Sequence, residues 1–136
     1  EGFWREQFGH THGVLVANAF YENVLLHHAE GRELRPGEEP RMVVVEFKSE
    51  PPQELLLACL WSRWTAPGEP DLLSCALITD DPPPEVAAAG HDRCVIALRP
   101  ENLDRWLNPE GQDIGSLYAL LDDRPPHLHY VHSRAT

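Results

Sequence analysis

Positive charge is scarce in this chain relative to negative charge. Eleven basic residues, ten of them Arg and the other Lys48, face 22 acidic ones, for a formal charge of −11. Such a surface repels phosphate at long range, which excludes a basic nucleic-acid footprint spread over the whole chain. No apolar run reaches the length of about 18 residues that a membrane-spanning helix needs. The chain carries no CxxC pair, no HExxH, no glycine-rich phosphate loop and no nucleophile elbow. Ser74 and Ser116 fall inside a strand-like and a helix-like run. The cysteines are Cys59, Cys75 and Cys94, each within an apolar stretch. An odd count in such settings reads as reduced, buried thiols and an expected cytoplasmic protein, nucleoid-associated in a bacterium.

What is present suits one globular domain. A chain of 136 residues with an ordinary apolar fraction can bury a single core. "EGFWREQF" reads as a short amphipathic helix, broken at residues 10–13. Residues 14–21 are apolar on both faces, which predicts a central strand buried on two sides. Residues 27–40 read as a charged loop rich in Gly and Pro. "RMVVVEF" predicts a strand, and "SEPPQ" ends it, since proline cannot continue a ladder. Residues 54–64 fit strand or helix; strand is preferred. "LLSCALIT", residues 72–79, predicts a buried strand, and residues 85–89 one helical turn. "RCVIAL" follows as a short strand, then "RPENLDRWLNPEG" and "DIGSLYALLDD" as helices, and "HLHYVH" as a last strand. Strands and helices do not alternate regularly, so the expected class is α+β.

Two residues raise the question of chemistry. Glu22 ends the greasy run "VLVANAFYENV", and His91 stands before "DRCVIAL". A carboxylate and an imidazole from different strand ends can converge in one cleft and share proton transfer. Burial would raise the carboxyl pKa towards neutrality, as that work requires. The histidines offer a rival. His127 and His129 would share a strand face, with His132 nearby, and His10/His12 and His27/His28 form further pairs. No third ligand has a fixed position, and no metal is expected.

The order of motifs is more specific than any one of them. "GVLVANAFYENV" resembles the "CLVPA-x-GFYEW" strand of the SRAP family (SOS response-associated peptidase domains), and "FWREQF" resembles the helix before it. "LLACLWSRW" is similar to the family's "FAGLW-x-x-W", and "LLSCALIT" to its "ITT" strand. "GHDRCVIALRPENLDRWLNP" resembles "IHDRMPVILPPEDWDRWLDP", and the tail "LHYVHSRAT" is similar to "VSxxVN". The resemblance is collinear over nearly the whole chain.

The resemblance implies a mixed fold with a barrel-like sheet and a few peripheral helices. It implies binding to single-stranded DNA and capture of abasic sites, without a cofactor. In that chemistry a cysteine at the mature N-terminus, exposed by self-removal of the initiator Met, attacks the open sugar aldehyde and closes a thiazolidine. Glu22 would orient or deprotonate the attacking amine, and His91 would move a proton at the ring oxygen. Thr79, Asn18 and Arg93 would lie against DNA. The family's "MCGR" opening and "NAR" motif are not in the chain, Asn23 stands where the family has Trp, and "HDRMP" is "HDRCV". The chain opens on Glu1, and the expectation is one domain over residues 1–136 without its N-terminal portion, inactive alone. The missing portion or a second copy would then partner its sheet edges. The alternatives are a diverged binding module that does not react, and a metal-dependent hydrolase built on the C-terminal histidines.

Overall fold

The computed structural model describes residues 2–126 and 128–135. Its elements in chain order are helix α1 (Gly2–Arg5), strands β1 (His12–Ala17) and β2 (Ala19–Leu25), helix α2 (Leu26–Ala29), strands β3 (Met42–Glu50), β4 (Leu55–Trp64), β5 (Leu72–Leu77) and β6 (Thr79–Asp80), helix α3 (Pro84–Ala88), strand β7 (Cys94–Val95), a 3₁₀ turn (Pro100–Asn102), helices α4 (Leu103–Leu107) and α5 (Ile114–Asp122), and strand β8 (His129–Arg134). The class is α+β. The strands form three sheets, ordered β1–β4–β5, β2–β3–β8 and β6–β7, not one closed barrel. One cause is a bend at Asn18, which divides the run read as a single strand between two sheets.

The chain folds as two compact units, each made of three separated segments. The first comprises Glu1–Val16, Leu56–Ile78 and Val95–Pro126; the second comprises Ala17–Leu55, Thr79–Cys94 and His127–Thr136.

In the first unit, Leu60, Ile96, Leu98, Trp106, Leu117 and Leu120 form a buried cluster. Trp106 is fully buried, and its indole N–H donates to the Gly13 carbonyl at 2.9 Å. His12 stacks on that indole with ring centres 3.9 Å apart. Its Nδ1–H donates to the Trp106 carbonyl at 2.9 Å, and its Nε2 accepts from the Gly9 N–H at 2.8 Å. Both nitrogens are therefore committed to backbone, and burial lowers the pKa of the ring. His12 is a core residue rather than a metal ligand, and His10 instead meets Glu110 at 2.9 Å. Asp113 caps α5 by accepting the Ser116 N–H at 2.7 Å. The expected buried strand "LLSCALIT" is corrected: β5 is an exposed edge, and Cys75 is exposed while Cys59 and Cys94 are buried.

In the second unit, β3 pairs antiparallel with β2 on one side and β8 on the other. Phe20 and Phe47 stack at 5.0 Å, and Tyr130 meets Phe20 edge-on at 5.1 Å. β2 does not have two buried faces. Phe20 and Val24 are buried while Tyr21 and Asn23 are exposed, the alternation of a strand covered on one side. The loop expected over residues 27–40 begins instead inside a helix, since residues 27–29 belong to α2. No helix among the described residues is long and apolar enough to cross a membrane.

Candidate functional site

Side chains on a strand alternate, so Phe20, Glu22 and Val24 share one face of β2. That face is the buried one, and Glu22 stands opposite Val45, which is 2% exposed. A carboxylate is thus inserted into the apolar side of the sheet. The desolvation raises its pKa above the usual carboxylate range.

The partner comes from the end of α3. The Gly90 N–H donates to the Ala87 carbonyl, and the His91 N–H to the Val86 carbonyl. This pair of bonds is a Schellman turn, with Gly90 at φ +102° as the left-handed residue that closes the helix. A Cβ at Gly90 would lie 2.8 Å from the Cβ of His28, so the glycine also permits close approach to α2. The turn aims His91 at β2, and its Nε2 lies 3.1 Å from Glu22 Oε2. At the other ring nitrogen, the Arg93 carbonyl is 2.7 Å away and the Arg93 N–H 3.3 Å. The shorter contact decides the tautomer: a carbonyl can only accept, so Nδ1 carries a proton and donates. Nε2 is then the ring nitrogen that faces Glu22 Oε2, 3.1 Å away, so a proton carried by either atom lies within reach of the other. Proton transfer between two side chains needs a contact of this length.

Asp92 raises the Glu22 pKa further, and the attraction of His91 opposes it. Thr79 and Arg93 are also brought together. The guanidinium donates to the Thr79 carbonyl at 2.7 Å and to its hydroxyl at 3.2 Å, with Asp81 at 3.8 Å. Asn18 occupies the exposed bend before β2, with no hydrogen bond to Glu22, His91, Thr79 or Arg93. An open cleft of about 620 Å³ adjoins His91, lined also by His28, Arg32, Glu33, Gly90 and Asp92. Arg32 is clamped there by Glu38, at 2.8 and 2.7 Å, and Glu38 is held at a pKa of about 2 by that hydrogen bond.

Sequence reasoning missed Gly90 and Asp92, and read His28 only as half of a histidine pair. The signal for the first was a glycine directly after a short helix-compatible run and before the candidate histidine. Of the C-terminal histidines, His127 lies outside the described residues. His129 and His132 are exposed on β8, and no group of three or more potential metal ligands occurs among the described residues.

The pair has a pH signature. A carboxyl whose pKa is raised by folding is favoured when protonated. Its contribution is fully present below its ordinary value of 4.5 and is lost as pH rises through the folded pKa. Wild type is therefore expected to lose stability relative to Glu22→Gln as pH rises above 4.5, measured by urea unfolding across pH. Asp92→Asn removes a negative charge beside Glu22, and its carboxyl should titrate at lower pH than in wild type by carbon-detected NMR. An unmoved titration would refute the assigned role of Asp92.

The comparisons with known proteins agree with this architecture. Two curated proteins named abasic site processing protein YoqW, from Bacillus subtilis (strain 168) and Bacillus phage SPbeta, are each 38% identical over 64 residues, which is 47% of this chain and 28% of the relative. A solved structure from Bacteroides thetaiotaomicron superposes with a TM-score of 0.69 at 14% identity, covering 100% of this chain and 54% of its own. A phage-related protein from Bordetella bronchiseptica gives 0.63 at 23% identity, covering 97% of this chain and 57% of its own. At these identities the structures speak to fold, and the chain spans little more than half their length. The family model described as SOS response associated peptidase matches residues 1–134. Across essentially its full length, the chain belongs to the SRAP family.

Proposed function

We propose that this chain is the part of a single SRAP domain that supplies the proton-transfer pair for capture of abasic sites in single-stranded DNA. The observation that carries the reading is the 3.1 Å contact between Glu22 and His91 on the buried face of β2. An ordinary surface carboxylate would not be placed there, and the relatives named for abasic site processing point the same way.

The chemistry starts from the closed abasic sugar. Its C1′–O4′ bond breaks, O4′ takes a proton, and the C1′ hydroxyl loses one to give the aldehyde. His91 delivers the proton to O4′ in this scheme. An α-amine then adds to the aldehyde and water leaves. Glu22, with its raised pKa, takes the proton that the amine sheds. The thiol of the same N-terminal cysteine closes the thiazolidine. Arg93, braced on Thr79, would grip a phosphate with its remaining N–H groups, and Asn18 would reach the strand from the bend before β2.

Cys59, Cys75 and Cys94 lie inside the chain and lack a free α-amine. The nucleophile must therefore come from the family's Met-Cys-Gly-Arg opening, in the N-terminal portion we propose to precede these residues. The 136-residue chain is expected to give no crosslinked band with abasic single-stranded DNA on a denaturing gel. A chain extended to include that opening should crosslink, and Glu22→Gln should slow it by about 10²-fold or more. A band from the short chain, or full-speed crosslinking by the extended Glu22→Gln variant, would overturn the proposal.

A further inference from the structure

β8 is the outer strand of the β2–β3–β8 sheet. The Ala135 N–H donates to the Val44 carbonyl, and the register runs on through Ser133 with Glu46 and Val131 with Lys48. In an antiparallel pair, hydrogen-bonded positions recur every second residue, so the Tyr130 N–H points away from β3. An edge N–H of this kind is usually open to water or to another chain. Here it donates to Glu85 Oε1, 3.2 Å away. Glu85 stands in the first turn of α3 and is half-buried.

Tyr130 therefore connects the two elements that carry the proton-transfer pair. Its buried ring packs edge-on against Phe20, two residues before Glu22 on the same face of β2. Its N–H holds the first turn of α3, and the far end of that helix leads into Gly90 and His91. Five residues of helix, about 7.5 Å long, move as one body. A shift at Glu85 is thus felt at His91. The close approach of Gly90 to His28 fixes one end of α3, and Glu85 fixes the other.

We propose that Glu85 is a positioning residue for proton transfer: by accepting the Tyr130 N–H it ties α3 to β8 and so sets His91 at its distance from Glu22. The role in catalysis rests on the function proposed above, whereas the tie itself does not. What the tie needs is an acceptor oxygen at the right reach. Gln offers a carbonyl oxygen at the same length, Asp keeps the charge but is one methylene shorter, and Leu has no acceptor.

The test uses the product of the complete reading frame, so that any residues preceding Glu1 are in place. With saturating abasic single-stranded DNA, Glu85→Asp and Glu85→Leu should crosslink about 10²-fold more slowly than wild type, the effect of a displacement of about 1 Å. Glu85→Gln should keep close to the wild-type rate. The DNA concentration that gives half the maximal rate should stay the same in every variant. Carbon-detected NMR reads the geometry without DNA. The Glu22 carboxyl should titrate higher in Glu85→Leu and Glu85→Asp, because the imidazole that opposes its burial has withdrawn. Loss of a negative charge would act in the opposite direction, so a rise in Glu85→Leu reports displacement. If wild type does not crosslink, the proposed function fails and the titration still decides the tie. Should Glu85→Leu unfold, Glu85→Asp carries the test. An unmoved Glu22 titration in either folded variant, or a Glu85→Gln variant as impaired as Glu85→Leu, overturns the proposal.

Discussion

Gly90→Ala is expected to lower stability by about 2–4 kcal/mol and to separate His91 from Glu22. Two costs combine. The residue sits at φ +102°, where an L side chain is strained by about 1–2 kcal/mol. The new methyl carbon would also meet the Cβ of His28 at 2.8 Å, with the backbone of His28 and Ala29 at 3.2 Å. Backbone cannot rotate out of the way, so the Schellman turn must shift and carry His91 with it. Gly31 supplies the control. It has φ +66° but nothing within 4 Å of a built Cβ, so Gly31→Ala pays the conformational cost alone. Urea unfolding of the two variants isolates the steric part. The Glu22 carboxyl should titrate higher in Gly90→Ala, because the imidazole that opposes its burial has moved away. If Gly90→Ala is no worse than Gly31→Ala, the close approach to α2 does not position the histidine.

His12→Leu should cost about as much in the other unit. It leaves the Gly9 N–H and the Trp106 carbonyl without their partners beside a buried indole, a loss of about 2–4 kcal/mol for two such groups. The pH dependence identifies the cause. Burial lowers the His12 pKa, so the neutral ring is favoured by folding. Its contribution is full above the ordinary value of 6.5 and declines as pH falls, because the unfolded chain takes up the proton first. The stability difference between wild type and His12→Leu should therefore narrow between pH 7.5 and pH 5.5 in urea titrations. A constant difference would mean that burial does not hold the ring neutral.

Much of the secondary structure was readable because the signals were local. "ELLLACLWSRW" became β4 as preferred, and the prolines at 100 and 109 bracketed the helical region around α4. The misses have a shared origin in tertiary context. Asn18 bends a run whose composition is uniformly strand-like, and composition cannot report where a strand changes sheet. "LLSCALIT" is apolar enough for a core, yet β5 lies at an edge, since hydrophobicity does not specify position in a sheet. α2 was hidden in "LHHA", whose two histidines are weak helix formers next to a glycine-rich stretch.

The site divides in the same way. Glu22 and His91 stood out because titratable groups next to apolar runs are uncommon, and they meet at 3.1 Å. Thr79 and Arg93 also meet, though the resemblance alone could not say that the threonine would brace the arginine. Asn18 does not join them by a hydrogen bond. Gly90 was passed over because its role depends on where α2 lies, which no local pattern encodes.

The interleaving of segments has a consequence for synthesis. Each unit draws on both early and late parts of these residues, and β8 leaves the ribosome after every other described element. Until it emerges, β3 has β2 on one side and an empty edge on the other, and Tyr130 is absent from its place against Phe20. The nascent polypeptide must therefore hold an unfinished sheet while the intervening residues are translated, and a stop codon shortly before residue 129 would leave that sheet permanently open. Such a product should be recognised by chaperones and degraded, although it would still contain Glu22, His91 and the turn that joins them.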